Sequence, residues 1–445
     1  MKKVDVAIIG AGTSGIAAFE EALKFTHQVA IIDHQPLGTT CARIGCMPSK
    51  TLIQVANNYF LRNFFLSQGI IGADQLHIDI AHVLAYVRKL RDEWVGYILR
   101  KMNSYKDHLI LGEPVFIDPY SMRINGEIIR AEKIIFAVGS RVVIPKNWGP
   151  YQDQLLTIET IFEQKNLQQA IGVAGLGPIG VEFAQAFARL GLDVAGYDRS
   201  NFIARITDPE INKIAIEKLA EEFAINVNQE IAIDKKQSKL TLTENGEFKA
   251  DQIFYALGMQ SNYKDYQFDV FDIELNENGL PAALDFETLQ VRDSHIFLVG
   301  DANEHAPVLH EAANEGRIAG FNACHNSPHH FNRYCPLTII FTEPNIAQIG
   351  ASFASLNQED IIVKTVNFYD QGRAKILGEN KGQLNIYIEK DTQVLVGAEL
   401  FAPAGEHLAH LLAWAIQKKF NVRDLLQLPF YHPTVEESIK HALAE

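Results

Sequence analysis

The chain has 445 residues, of which 47% are hydrophobic and 21% charged, and its formal net charge is −14. That balance supports packed cores in about three domains, and it argues against a nucleic-acid backbone or an anionic membrane as the main partner. Four cysteines over this length make no secreted disulfide scaffold, and no apolar run is long enough to indicate a membrane span.

In chain order, the opening stretch MKKVDVAIIGAGTSG breaks at Gly10 without a small-residue cleavage pattern. It reads as a buried strand, not a signal peptide, so a cytoplasmic protein is expected. Gly10, Gly12 and Gly15 form G-x-G-x-x-G after that strand. IAAFEEALKF has helical character, and QVAIID is a second strand that ends at Asp33. This is the grammar of dinucleotide binding: glycines let backbone N–H groups approach a pyrophosphate at a helix N-terminus, and the acid receives a ribose hydroxyl. Next comes GTTCARIGCMPSK, which holds Cys41 and Cys46. In a reducing compartment a close pair is redox-active or metal-binding. Zinc would require matched cysteine pairs elsewhere, and Cys324 and Cys335 lack that spacing, so they read as small buried hydrophobes and no metal site is expected. In a regular helix residues i and i+5 lie roughly 8 to 9 Å apart, beyond the ~7 Å ceiling for a disulfide. A Cys41–Cys46 bond therefore requires a break in the helix, which Gly45 makes easier; such a small loop would be easily reduced.

Farther on, Ile80, Val83, Leu84, Val87, Leu90 and Trp94 recur at helical spacing and predict an amphipathic helix with a core-facing stripe. KIIFAVGS is a strand ending in a turn at Gly139. The dinucleotide grammar then repeats: Gly175, Gly177 and Gly180, a helix through VEFAQAFARLG, and a strand ending at Asp198. The separation of third glycine and acid is the same in both copies, Gly15 to Asp33 and Gly180 to Asp198. DQIFYALG repeats the strand-and-turn form at Gly258, and HIFLVGDAN delivers Asp301 at the end of a strand. After residue 334, LTIIFTEPNIAQIG, LNIYIEK and VLVGAELF are strand-like and GEHLAHLLAWAIQKK helical. The expected fold is α/β: two doubly wound, Rossmann-like dinucleotide-binding domains plus a C-terminal α+β domain. The expected division is a first dinucleotide-binding domain at 1–149, a second at 150–265, a return to the first at 266–333 and the α+β domain at 334–445.

These motifs resemble those of the flavoprotein pyridine nucleotide-disulfide oxidoreductases, and within them most closely the dihydrolipoamide dehydrogenases. TTCARIGCMPSK matches G-T-C-x4-C-x-P-S-K, with Ser49 and Lys50 in the lipoamide pattern. YHPTVEE matches H-P-T-x-x-E, and VGDAN, APVLHEAANEG, FTEPNIAQIG and GAELFAPAGEHLAHLLAWA extend the likeness over essentially the whole chain. The resemblance implies FAD and NAD as cofactors, with NADP the alternative. It makes 1–149 the FAD-binding domain, 150–265 the NAD(P)-binding domain, 266–333 the return to the FAD domain and 334–445 the interface domain. It makes Cys41 the interchange thiol and Cys46 the charge-transfer thiol facing the flavin, its thiolate favoured by the helix N-terminus that follows. It pairs Lys50 with Glu182 beside the flavin ring, puts Asp33 on the adenosine ribose and Asp301 on the ribityl chain, and makes His432 the acid–base catalyst, oriented by Glu437. It also implies a homodimer with active sites shared between subunits, and dihydrolipoamide or the lipoyl domain of a multienzyme complex as the reacting partner, with no role for nucleic acid or membrane.

Some signals conflict. Thr434 and Glu437 also spell a helix capping box. Asp198 favours NAD, whereas Arg199 and Arg205 stand where NADPH-using relatives hold a 2′-phosphate. Met259 replaces the usual Arg of A-x-G-R-x-P-N, and Val138 the usual Thr of the flavin-domain turn. A mercuric reductase is disfavoured because no cysteine follows Cys335, and a soluble transhydrogenase because it would not need the cysteine pair. A non-catalytic flavoprotein subunit would have no use for an intact thiol pair with an acid–base histidine. An NADPH-dependent reductase of another disulfide is the nearest rival.

Overall fold

The computed structural model describes residues 1–445 apart from 35, 237–238, 244–246, 267–269 and 445. The chain forms two units, one made of residues 1–48, 88–144 and 258–333, the other of 49–87, 145–257 and 334–445.

The first unit starts with β1 (Lys2–Ile9), α1 (Thr13–Ala22) and β2 (Val29–Asp33). β1 and β2 pair in parallel from Val6–Val29 to Ile9–Ile32. Their sheet has seven strands: Leu109–Leu111, β2, β1, Glu127–Phe136, Ser121–Ile124 and Val115–Asp118 in order, with Ile296–Leu298 added to Glu127–Phe136. A parallel sheet covered on both faces needs continuous apolar strands, and Val6, Ala7, Ile8 and Ile9 are all buried. Helix Leu309–Ala323 packs on α1 at backbone distance. A Cβ on Gly316 would lie 2.2 Å from the Ser14 carbonyl oxygen and one on Gly320 2.4 Å from that of Ala18, so only glycine fits.

A short helix, α2 (Thr40–Arg43), and a 15-residue one, α3 (Cys46–Phe60), follow β2. The stripe expected between residues 80 and 94 lies on helix Ile80–Asn103; Val83, Leu84 and Val87 are buried, and Ile80, Leu90 and Trp94 half-buried.

The second unit holds two five-stranded sheets. One is parallel, in the order Ala224–Asn226, Asp193–Tyr197, Ala170–Ala174, Gln252–Tyr255, Leu155–Leu156. The other is antiparallel, in the order Leu337–Ile340, Asn345–Gly350, Leu395–Ala402, Gln383–Glu389, Ile361–Asn367. Helices Gly405–Gln417 and Glu437–Ala444 contribute Leu408, Leu412 and Ile439 to its core, beside Leu384, Ile386 and Leu400. The architecture is the expected one: two Rossmann-like sheets and an α+β domain. Cys324 and Cys335 are half-buried, not fully buried as expected, and each packs with one side against an apolar core. Burial pushes the Cys324 thiol up to about 11. Among the described residues no helix is long and apolar enough to cross a membrane, and no group of His, Cys, Asp or Glu is arranged to hold a metal ion.

Candidate active site

The two glycine fingerprints have the same construction. Gly10 and Gly175 take left-handed φ values of 105° and 93°, turning the chain out of the strand. The third glycine of each is a packing requirement: a Cβ on Gly15 would lie 1.9 Å from the Gly10 carbonyl oxygen, and one on Gly180 1.8 Å from that of Gly175. The middle glycines differ. Gly12 and Gly177 face open space, with no atom within 4 Å of a Cβ, and each caps the helix that follows. These are cradles that a side chain would fill and a pyrophosphate fits, at helix N-termini where exposed N–H groups favour an anion.

Each cradle has its acid. Asp33 accepts the Ala11 N–H at 2.5 Å and the His34 N–H at 2.7 Å. Asp198 accepts the Leu176 N–H at 2.7 Å and the Ser200 N–H at 2.9 Å. Ala11 and Leu176 occupy the same fingerprint position. Burial pushes the Asp33 carboxyl up, and the two backbone donors oppose that rise. Arg199 and Arg205 are exposed, and neither has an ion-pair partner among the described residues. Arg205 sits in a left-handed turn with Ala204, φ 60° and 55°. The neighbouring Thr207 and Asp208 donate their N–H groups to the fully buried Glu399 carboxylate at 2.8 and 3.0 Å.

Gly139 and Gly258 end their strands at left-handed φ values of 67° and 121°. The ribbon of Ser140–Val142 with Met259–Ser261 follows. Val138 packs against the core. Met259 is exposed, its sulfur 4.0 Å from Ser140 Oγ, and in the same ribbon Arg141 grips Asp265 and Asn262. Asp301 lies in the short turn Gly300–Asn303, accepts Ser140 Oγ–H at 3.4 Å and is pushed up by burial. Glu315, which the motifs did not single out, holds this turn from behind. Fully buried, it accepts the Gly300 N–H at 2.7 Å, Asn303 Nδ2 at 2.7 Å and Arg333 Nη2 at 2.6 Å.

The helix break between the cysteines is present. Cys41 lies in α2, which stops at Arg43; Ile44 leaves helical geometry, and Cys46 opens α3. Gly45 donates its N–H to the Thr40 carbonyl at 2.8 Å, and a Cβ there would stand 3.2 Å from Cys41 Cα, so close approach is what asks for glycine. Cys41 is half-buried and Cys46 exposed. Cys46 stands at the first position of α3, where a helix presents unpaired N–H groups.

Lys50 and Glu182 are brought together: Nζ lies 3.0 and 2.8 Å from the two carboxylate oxygens. Sequence reasoning missed what surrounds them. Helix Pro178–Arg189 is apolar except for a stripe of Glu182, Gln185 and Arg189, spaced to share one face. This stripe grips a distant strand end. Glu182 accepts the Phe341 N–H at 2.8 Å, and Gln185 accepts the Glu343 N–H at 2.8 Å. The Glu343 carbonyl accepts Gln185 Nε2 at 2.8 Å and Arg189 Nη2 at 2.9 Å. The available signal was three polar residues at helical spacing inside VEFAQAFARL.

His432 and Glu437 also meet. Nδ1 lies 3.1 and 2.9 Å from the carboxylate oxygens, with the imidazole side chain 79% exposed and the carboxylate 12%. A carboxylate only accepts, so Nδ1 carries the proton and Nε2 is left basic. The capping signal is present in the same residues: Glu437 N–H donates to Thr434 Oγ1 at 3.3 Å, and Thr434 N–H to Glu437 Oε1 at 3.4 Å.

Comparisons with known proteins identify the family. Residues 4–316 match the pyridine nucleotide-disulphide oxidoreductase family, and residues 337–443 its dimerisation domain. Mercuric reductase of Staphylococcus aureus is 27% identical over 454 residues, covering 98% of this chain and 81% of its own. Dihydrolipoyl dehydrogenase of Bacillus subtilis (strain 168) is 23% identical, covering 98% and 94%. The solved structure of the HOCl-induced flavoprotein disulfide reductase RclA from Escherichia coli has the same fold, with a TM-score of 0.85 at 22% identity over 99% of both chains. The chain therefore belongs to the pyridine nucleotide-disulphide oxidoreductases, a family of FAD-dependent enzymes that work with a pyridine nucleotide on sulfur groups, and it carries the family's dimerisation domain, which makes it a homodimer.

Proposed function

We propose that this enzyme oxidises dihydrolipoamide to lipoamide through a Cys41–Cys46 disulfide, with NAD⁺ as the final acceptor. The observation that carries the reading is the His432–Glu437 pair: an exposed imidazole whose Nδ1–H is held by a carboxylate and whose Nε2 is a base for a thiol. In this reading His432 takes the proton of one substrate thiol. The thiolate attacks Cys41 Sγ, the Cys41–Cys46 bond breaks, and Cys46 leaves as a thiolate. The second substrate thiol then attacks the mixed disulfide at the substrate sulfur and releases Cys41, which takes the proton that this second thiol gives up, so that the first proton stays on His432. Substrate is oxidised by two electrons and the enzyme pair reduced by two. Bound FAD supplies the two-electron relay from the thiols to the nicotinamide. Gly12 and Gly177 mark where the two pyrophosphates would lie; Asp33 and Asp301 would hold FAD, and Asp198 the nicotinamide dinucleotide. Lys50 and Glu182 are assigned to the flavin, and His432 of one protomer to the cysteines of its partner. Ping-pong kinetics follow from the two half-reactions.

A second reading, an NADPH-dependent reductase of another disulfide, is favoured by Arg199 and Arg205, two exposed guanidiniums that no carboxylate among the described residues engages. One experiment separates the two: dihydrolipoamide-driven reduction of NAD⁺ and NADP⁺ in parallel on the purified holoenzyme. Turnover with NAD⁺ is the expected result. Turnover with NADP⁺ alone keeps the thiol chemistry and moves the nucleotide contact to the arginines. No turnover with either rejects dihydrolipoamide as substrate.

A further inference from the structure

Glu343 is an unusual occupant of its place. It stands at one wall of a cavity of about 320 Å³ whose lining includes Lys50, Asn57, Glu379, Glu406 and His407. Its Oε1 is buried and has no hydrogen-bond partner among the described residues. The backbone of the same residue is held on both sides by Gln185 and on its carbonyl by Arg189, so the main chain does not carry the carboxylate away. Nor does a neighbour neutralise it. Arg189 is engaged by Glu222, with Nε and Nη2 at 2.6 and 2.8 Å, and Lys50 by Glu182. Glu379 and Glu406 face it from the segment after helix Gly372–Leu377 and from helix Gly405–Gln417, and Glu222 adds a third like charge. The short segment between Phe341 and Asn345 is itself tied down: Thr342 Oγ1–H donates to the Pro344 carbonyl at 2.7 Å, and Asn345 Nδ2 to that of Thr342 at 2.7 Å. A shift at Glu343 is therefore passed to the helix that holds it, and one turn along that helix is Glu182, which takes both the Phe341 N–H and the Lys50 ammonium. The Lys50 ammonium also lies 4.9 Å from the centre of the Phe341 ring.

We infer that Glu343 is a positioning residue that acts through its proton: neutral, it lets the 341–343 segment seat on Glu182, Gln185 and Arg189 and so fixes the Lys50–Glu182 pair; ionised, it is repelled by Glu379 and Glu406 and loosens that seat. Burial above all, then the charge of Glu379, pushes this carboxyl up to about 7, while Arg189 opposes the rise. The device works in the neutral range, where an ordinary carboxylate would already be ionised. The inference rests on the proposed role of Lys50 and Glu182 at the flavin, and it adds a proton to that role.

The test is anaerobic, single-turnover reduction of the enzyme-bound flavin by NADH, and separately by NADPH, between pH 5.5 and 8.5. The wild-type rate is expected to fall about 5- to 10-fold as pH rises through neutrality, the scale of a small misplacement of a working group. Glu343→Gln keeps the shape and cannot ionise, so its rate is expected to stay at the acid plateau throughout. His407, the histidine of the cavity wall, remains in that variant as an internal control. Glu379→Gln removes a like charge and is expected to move the transition to lower pH. A transition that persists unchanged in Glu343→Gln, or a flat wild-type profile, overturns the inference and leaves the proposed function standing. If Glu343→Gln does not fold, an unshifted transition in Glu379→Gln overturns it, and a shift downward supports it. Flavin that neither nucleotide reduces at any pH rejects the assigned role of Lys50 and Glu182, and the inference with it.

Discussion

Glu437 carries two jobs that sequence grammar presents as alternatives. Its side chain closes the turn before the last helix with Thr434 and holds Nδ1 of His432 at the same time. The two jobs can be separated. Glu437→Gln can still accept the Thr434 N–H, but an amide stabilises an imidazolium less than a carboxylate does. The expected outcome is a folded dimer with 10- to 100-fold slower dihydrolipoamide oxidation, on the order of the loss of half a general-base contribution. His432→Gln is expected to cost roughly 10²- to 10⁴-fold in the same assay, while nicotinamide-driven reduction of the flavin stays at the wild-type rate. A His432→Gln enzyme that oxidises dihydrolipoamide normally would remove the histidine from the mechanism. Cys41→Ser is a sharper cut: thiol turnover is expected to vanish and flavin reduction to persist.

At the level of elements, the two strand–turn–helix units separate what a fingerprint glycine does for folding from what it does for binding. Gly180 has no room for a methyl group, whereas Gly177 has open space and an extended backbone, φ −66° and ψ −174°, that alanine adopts freely. Gly180→Ala is therefore expected to destabilise the protein by roughly 1–3 kcal/mol or more, the cost of overpacking against backbone, seen as a lower melting temperature. Gly177→Ala should melt within about 0.5 kcal/mol of wild type, as a substitution that meets nothing does, yet bind the pyridine nucleotide about tenfold more weakly, because under the proposed function the methyl group would occupy the place of a phosphate. Equal melting losses in the two variants would contradict this division. The helix after Gly180 shows the limit of pattern reading. Its apolar face was readable from VEFAQAFARL. That Glu182, Gln185 and Arg189 together grip a strand end was not, because the partners at Phe341 and Glu343 belong to a much later part of the chain.

For the whole molecule, the raised carboxyl of Glu343 gives stability a definite pH trend. Its value goes from the ordinary 4.5 in the unfolded chain to about 7 in the folded one. Below both values the group is protonated in either state and contributes nothing. Between them only the folded chain keeps the proton, so stability falls as pH rises. Above both, the cost is complete, on the order of 3 kcal/mol for this largely buried group. Denaturant titrations at pH 5 and pH 8 should show this trend, and Glu343→Gln should flatten it. A variant that keeps the full wild-type difference between the two pH values would place the proton elsewhere.

The parts of this protein that are built from neighbours in the chain were legible before the fold was known. Two fingerprints with one shared separation of third glycine and acid, the broken helix at Cys41 and Cys46, and the His432–Glu437 turn are all local. Their meaning follows from backbone conformation and short spacing, which any stretch of chain displays on its own. Lys50 with Glu182 became readable only through resemblance, since nothing at either position announces a partner so far along the chain. Tertiary structure alone decided the rest: Glu315 behind the Asp301 turn, the buried Glu399 under the Arg205 turn, and Glu343 among other carboxylates. A buried polar group takes its character from what folding packs around it. Burial and neighbouring charge set both its hydrogen bonds and its proton affinity, and neither is a property of the residue's place in the sequence.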